Sequence, residues 1–378
     1  MDTGYDSAVN TVTFKIKFLL KDRIWHDSGT IMPHFRGMDD DRQDIQARRP
    51  TLSQVARAAG VSEITASRAL RRDGPVARDT RERVERAAIA LNYVPNRLAG
   101  TLAGAASKQV GVILPSLSNI VFADVLKGLE DRLEGDGYHP ILGISNYDPL
   151  REERLLRDLL SWRPAGLVIA PARKTETTCS LLAAADMPVV EIMDVDAESA
   201  DMAVGISHRG AGRAMAHYLA GRGYRRFAYL GHGIETDFRA TQRLDGFRDE
   251  LREVGVTLGD VLCLPGPSTV PLGREGLARL LAEAETPPEA VFFSNDDMAV
   301  GGAFHCQAAG ITVPDDLALA GFNGLSIGQA LPKPLTTIAS QREHIGFIAA
   351  THLLDRLAGG SPPRVTNVDF QLIPGATA

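Results

Sequence analysis

The sequence predicts an all-α helix-turn-helix head followed by an α/β core of two doubly wound, parallel-sheet lobes. Three observations carry that prediction. Residues 51–91 hold three short helical patterns pinned by a glycine turn. From Gln109 onward, strand-length apolar runs alternate with amphipathic helical ones, and the alternation restarts near Val204. Finally, charge divides unevenly: residues 49–104 carry ten arginines against five acids, whereas residues 105–378 carry 24 basic and 34 acidic side chains. A basic head on an acidic body fits a nucleic-acid-binding segment attached to a module with another purpose.

The 378 residues suffice for two or three domains, and 44% apolar with 23% charged residues is ordinary for a globular chain. Apolar runs such as Val110–Leu114 and Pro188–Val190 are too short to span a membrane. Lys15 and Lys17 interrupt the only early apolar stretch, so no export signal is expected. Cys179, Cys263 and Cys306 are odd in number and far apart, which fits a reducing cytoplasm. Residues 1–48 lack sustained periodicity and end in an acidic run at Met38. They are expected to be a disordered extension or the product of an upstream start codon, with Met38 a candidate start.

Helix one should begin at Leu52, with Thr51 and Gln54 forming a capping box and Val55, Ala56 and Ala59 facing inward. Gly60 supplies the turn, Val61 plugs the angle and Ser62 caps helix two. That helix buries Ala66 and Ala69 and turns Glu63, Ile64, Thr65 and Arg68 outward. A third helix is expected from about Asp79 to Leu91, burying Val84, Ala87 and Leu91. Small residues at 56, 59 and 66 permit the close crossing of a helix-turn-helix unit. The segment Pro95–Leu102 follows as a tether, and residues 95–108 form the linker to the core.

Val55, Ala56, Ala59, Gly60, Val61, Ser62, Thr65, Ser67, Arg68, Tyr93, Pro95, Asn96, Ala99 and Leu102 match V-A-x-x-A-G-V-S-x-x-T-V-S-R followed by Y-x-P-N-x-x-A-x-x-L. From about Thr51 to Ile373 the chain therefore resembles the LacI/GalR family of bacterial transcription repressors. The resemblance implies double-stranded operator DNA as a partner, a recognition helix in the major groove and a hinge helix at the minor groove. It implies contacts from Thr51, Ser62, Glu63, Ile64, Thr65, Ser67, Arg68, Asn96, Arg97, Ala99 and Leu102. Two departures stand out: Gly100 falls inside the hinge, and Ala77 replaces the serine that often caps helix three.

In the core, strand-like runs are Val110–Leu114, Pro140–Ile144, Gly166–Ala170, Pro188–Met193, Arg226–Leu230, Ala290–Ser294 and Leu317–Phe322, with a last one at Val365–Ile373. The resemblance implies a periplasmic-binding-protein-like core with a ligand cleft between lobes. Lobe one is expected at about 109–206 and 339–361, lobe two at about 207–338 and 362–376. A homodimer is expected, with Phe122–Leu133 either at its interface or in ordinary core. No heptad for a tetramer follows the last strand.

S-L-S-N-I-V-F, F-S-N-D-D-M-A-V-G-G and A-G-F-N-G-L-S look particularly like the gluconate-operon repressors of the family. The family pattern implies effector contacts at Asn119, Phe122, Arg243, Asn295 and Asn323. Arg239, on a loop entering the helix Arg243–Val254, and Arg173, after the third strand, are added for their charge. Many sugar-sensing members carry aspartate at the position of Asn323; a neutral residue there, together with Arg239 and Arg243, favours a hydroxylated acid such as gluconate. Other readings are a neutral sugar or nucleoside as effector, or a sugar-binding transport component. An enzyme is not expected. Gly324-Leu-Ser326-Ile-Gly328 matches a nucleophile elbow, but Pro332 and Pro334 deny the long helix that elbow needs. His208 with His217, and His305 with Cys306, lack metal-ligand spacing, and Met298 and Phe304 are expected in the core.

Overall fold

The computed structural model describes residues 50–70, 76–94, 107–233 and 237–378. The chain forms two compact units, residues 1–99 and 100–378. Within the first, α1 (Leu52–Ala59), α2 (Glu63–Leu70) and α3 (Arg78–Ala90) pack around Val55, Ala56, Ala59, Ala66, Ala69, Val84 and Ala88. The capping box forms as its residues dictate: Thr51 Oγ1 accepts from Gln54 N–H, and Gln54 Oε1 from Thr51 N–H. Gly60 adopts φ 66°, a conformation a Cβ would oppose. Ala77 offers no side-chain cap to α3. That helix buries Ala88, while Ala87 and Leu91 are only partly covered, one residue of phase from the expected face.

The second unit holds two parallel sheets. β1 (Gln109–Leu114), β2 (His139–Ile144), β3 (Gly166–Ile169), β4 (Val189–Asp194) and β5 (Met202–Ile206) belong to the first. β6 (Phe227–His232), β7 (Leu258–Leu264), β8 (Ala290–Phe293) and β9 (Ala318–Ala320) form the second, in order β7-β6-β8-β9. A later strand, β11 (Val365–Asn367), pairs parallel with β5 and completes the first sheet as β11-β5-β4-β3-β1-β2. The lobe boundary expected at 362 is thus corrected: the expected last strand splits at Asp369 (φ 59°), and its halves serve different sheets. The second half, β12 (Gln371–Ile373), pairs antiparallel with β10 (Thr337–Ala339).

Helices cover both sheets, as parallel crossovers require. Those that matter for the site are α4 (Ile120–Glu134), α5 (Pro149–Ser161), α6 (Glu176–Ala183), α7 (His208–Gly221), α8 (Phe238–Glu253), α9 (Val270–Glu283) and α10 (Asp296–Ala309). The four-residue α11 (Ser326–Gln329) and α12 (Arg342–Leu357) complete the set. Phe122, Val125, Leu129 and Leu133 of α4 are buried in the lobe's own core with Ile345, Ala349 and Leu353 of α12. That apolar stripe is core, while Leu117 and Ile120 beside it stay exposed. Met298 is buried as expected, but Phe304 is 43% exposed, because it lies on the outer face of α10. Ser326 opens a single turn rather than a long helix, so the elbow match has no elbow geometry.

The close approach of α7 to α8 depends on two glycines. A Cβ on Gly212 would lie 2.0 Å from the Arg243 carbonyl oxygen, and one on Gly246 would lie 2.0 Å from that of Arg209. This crossing brings His208 and Arg243 together at the mouth of the second sheet.

Candidate functional site

On the helical head, Glu63, Ile64 and Arg68 stand exposed on one face of α2, with Ile64 66% accessible. Ser62 is exposed and accepts from Thr65 N–H at 3.2 Å, so it caps the helix that presents them. Thr51 is exposed at the cap of α1, whereas Thr65 and Ser67 are half-buried flanks. Arg81 fixes α3 to the end of α2 by donating to Ala69 O at 3.0 Å. An exposed apolar side chain between ionic ones suits base edges and phosphates together. Asn96, Arg97, Ala99, Gly100 and Leu102, like residues 1–48, lie outside the described residues.

A cavity of about 570 Å³ lies between the lobes of the second unit. It is lined by Asn146 and Tyr147 from the first lobe and by His232, Asp237 and Gly266, among others, from the second. The position follows from topology. The order of each sheet reverses beside its first strand, between β1 and β3 and between β6 and β8, and the diverging loops leave a crevice at the strand C-termini. None of the seven expected effector residues is among the residues that line the cavity, but Asn119 and Phe122 contact Tyr147, Arg239 faces Asp237 and Asn295 bonds to His232, three partners that do line it.

Two arginines dominate it. Asp237 caps α8, so the helix begins at Phe238 and includes Arg239; the expected loop there is a helical turn. Four-residue spacing puts Arg239 and Arg243 on one face, and both are 4% exposed. Arg243 Nη1 donates to His208 Nδ1 at 2.9 Å and Nη2 to Ser294 O at 3.1 Å, with the guanidinium 4.1 Å above the Phe322 ring. Its buried Nε has no partner. Arg239 Nη1 donates to Pro171 O at 2.9 Å, and its Nε stands 3.7 Å from Asp237.

The surrounding groups are electrically tuned. His208 Nε2 donates to Met193 O at 2.9 Å, which leaves Nδ1 as the acceptor for Arg243. Burial, then the Arg243 and Arg239 cations, hold His208 well below the usual histidine range, so it is neutral. His232 is also held down, chiefly by burial, and it accepts from Asn295 Nδ2 at 3.2 Å. For Asp237 burial pushes upward, but the Arg239 and Arg243 cations outweigh it, so the carboxylate stays ionised. Among these five side chains, two cations and one anion leave one net positive charge, with the buried carboxyls of Glu152 and Asp194 lying behind Arg239.

Asn119 caps α4 by accepting from Val121 N–H at 3.1 Å, and Nδ2 reaches the Tyr147 hydroxyl at 3.5 Å. Phe122 packs edge-on to Tyr147 at 6.3 Å. Asn295 caps α10, and Asn323 is buried with φ 113°, its backbone N–H donating to Ile338 O at 2.8 Å. Arg173 does not join them. It is exposed beyond β3; the next residue, Lys174, takes the inward place and pairs with buried Glu191 at 2.7 Å. Sequence reasoning missed Tyr147, His208, His232 and Asp237. Asp237 alone carried a local signal, as an N-cap residue type directly before the helix that begins at Phe238.

Residues 51–96 match the bacterial regulatory proteins of the lacI family, and residues 216–378 match the periplasmic binding protein-like domain. The HTH-type transcriptional regulator GntR of Escherichia coli (strain K12) is 37% identical over 335 residues, 88% of this chain and 100% of that protein. The chain belongs to the LacI family of bacterial regulators. The crystal structure of a LacI-family transcriptional regulator from Silicibacter pomeroyi is 40% identical with a TM-score of 0.83, over 87% of this chain and 99% of that one. That of the lac repressor dimer bound to operator and the anti-inducer ONPF is 25% identical with a TM-score of 0.77, over 87% and 99%. The two-lobed core and helical head are therefore those of a DNA-binding transcriptional regulator. Among the described residues, no helix is long and apolar enough to cross a membrane.

Proposed function

We propose that this chain is a cytoplasmic, homodimeric repressor whose operator affinity falls when gluconate or a closely related sugar acid enters the interlobe cavity. The net positive charge made by Arg239, Arg243 and Asp237 carries the reading, because a buried unpaired charge invites a counter-ion. The neutral His208, His232, Asn295, Asn323, Asn119 and Tyr147 supply donors and acceptors for hydroxyls without adding a second charge. The similarity to a regulator named GntR supports the same choice. On the DNA side, Glu63, Ile64 and Arg68 read base edges, Thr51, Ser62, Thr65 and Ser67 hold phosphates, and Asn96, Arg97, Ala99 and Leu102 form the hinge contacts that family resemblance implies.

The mechanism is a coupling free energy. An anion held by arginines of α8 on one side and Tyr147 on the other favours one lobe arrangement, and the dimer passes that preference to its heads. A coupling of about 1–3 kcal/mol would weaken operator binding roughly 5–150-fold. The leading test is a gel shift on the DNA upstream of candidate target genes, with and without gluconate, beside a calorimetric series of sugar acids and aldoses. Release by sugar acids supports the reading; release by a neutral aldose or nucleoside alone moves the chain to another effector class, and failure to bind any DNA defeats the repressor assignment.

A further inference from the structure

One peptide unit joins two charged side chains that do not touch. Glu152 sits in the first turn of α5, fully buried, and its Oε2 accepts from Ala172 N–H at 2.7 Å. Arg239, from the other lobe, donates to the carbonyl of Pro171 at 2.9 Å. That N–H and that carbonyl belong to the same trans amide and point to opposite sides of it. Carboxylate and guanidinium therefore polarise one amide in the same sense, an arrangement in which each hydrogen bond strengthens the other. Glu152 Oε1 is buried without a partner. The nearby Lys174 does not supply one, since its ammonium is taken by Glu191 Oε2 and Glu198 O at 2.7 and 2.6 Å.

We infer that Glu152 is a positioning residue for the effector site: through the 171–172 peptide its carboxyl sets how firmly Arg239 is tied to the first lobe, and so how readily Arg239 turns to an anion. Burial raises the Glu152 carboxyl to about 7, against the opposing pull of the Ala172 N–H and Arg239; Glu191 adds to the rise and Lys174 opposes it. Protonated Glu152 leaves Arg239 a neutral relay, free to turn its charge toward an incoming carboxylate. Ionised Glu152 holds Arg239 to the peptide and repels the same anion. Both effects have one sign.

The inference rests on the sugar-acid reading for its consequence but not for the relay itself, and two measurements keep them apart. In the effector-free full chain, a carbon-13 carboxyl titration should show one glutamate titrating near neutrality, lost in Glu152→Gln and moved upward in Arg239→Gln. If Glu152→Gln does not fold, Glu152→Asp serves for assignment, by a displaced midpoint. A Glu152 midpoint in the ordinary carboxylate range, or one indifferent to Arg239→Gln, overturns the relay. Calorimetric titration with gluconate should then show affinity falling about tenfold from pH 6 to pH 8 in the wild type, one unit of linked shift being a factor of ten. Glu152→Gln should hold the pH 6 affinity throughout. A slope equal to that of the wild type overturns the coupling; no gluconate binding at any pH overturns the effector reading and leaves the carboxyl titration to decide the relay.

Discussion

Arg243→Ala separates sensing from DNA binding. The substitution removes the two donors to His208 Nδ1 and Ser294 O and the stack on Phe322. Truncating one member of a buried, hydrogen-bonded charge pair costs about 2–5 kcal/mol of binding, so gluconate affinity should fall at least about 30-fold. Stability should fall too. Each buried acceptor left without a partner costs about 1–3 kcal/mol, and relief of the guanidinium's own desolvation offsets part of that. A net loss on the order of 2–4 kcal/mol follows, readable by urea denaturation. Operator affinity without effector should match the wild type, because α2 lies in a separate compact unit. The assays are calorimetry with gluconate and fluorescence anisotropy on operator DNA, run on one preparation. If gluconate still binds within about threefold of wild-type affinity and still releases the operator, the assignment of the cavity is wrong.

Arg68→Ala should cost about 1–3 kcal/mol of specific operator affinity and relax the preference at one base pair, checked by anisotropy on a panel of single-base operator variants. Leu102→Ala should weaken operator binding while leaving the effector constant unchanged; equal operator affinity would remove the hinge contact from the reading. Operator affinity should fall steeply with salt, and a flat log–log profile would exclude direct phosphate recognition. Asp296 is fully buried, accepts from Thr337 Oγ1 and Leu325 N–H at 2.6 Å each, and is raised by burial from 3.8 to about 6. The folded chain thus holds this proton longer than the unfolded one, so this group stabilises fully below about pH 4 and its contribution fades by about pH 6. Asp296→Asn should therefore gain in Tm relative to wild type across that interval; a constant difference would show that Asp296 ionises normally.

The head was legible because its signals are local. A capping box, a glycine at positive φ and alanines at helical spacing each act within a few residues of their cause. The core was legible in kind and less so in detail. Leu258–Leu264 escaped notice because it is a half-buried edge strand containing Gly259 and Asp260, without a continuous apolar run. Val365–Ile373 reads as one strand until Asp369 turns it. At the site, Arg239 and Arg243 were visible as charges, but their partners were not. His208 is 35 residues from Arg243, and Glu152 reaches Arg239 only through a peptide at 171–172. Nothing in spacing or composition announces such pairings; they exist because two switch points face each other.

Gly212 and Gly246 have a consequence for how information could leave the cavity. Where two helices touch through side chains, a small displacement of one is absorbed by rotamer changes in the other. Here backbone meets backbone, and the carbonyl that a methyl at 212 would strike is that of Arg243 itself. There is no compliant layer. A shift of Arg243 toward a ligand must be followed by α7, whose first residue grips Met193 of the opposite lobe through His208. Positions 212 and 246 should therefore behave in a genetic screen like ligand contacts, although neither is among the residues that line the cavity.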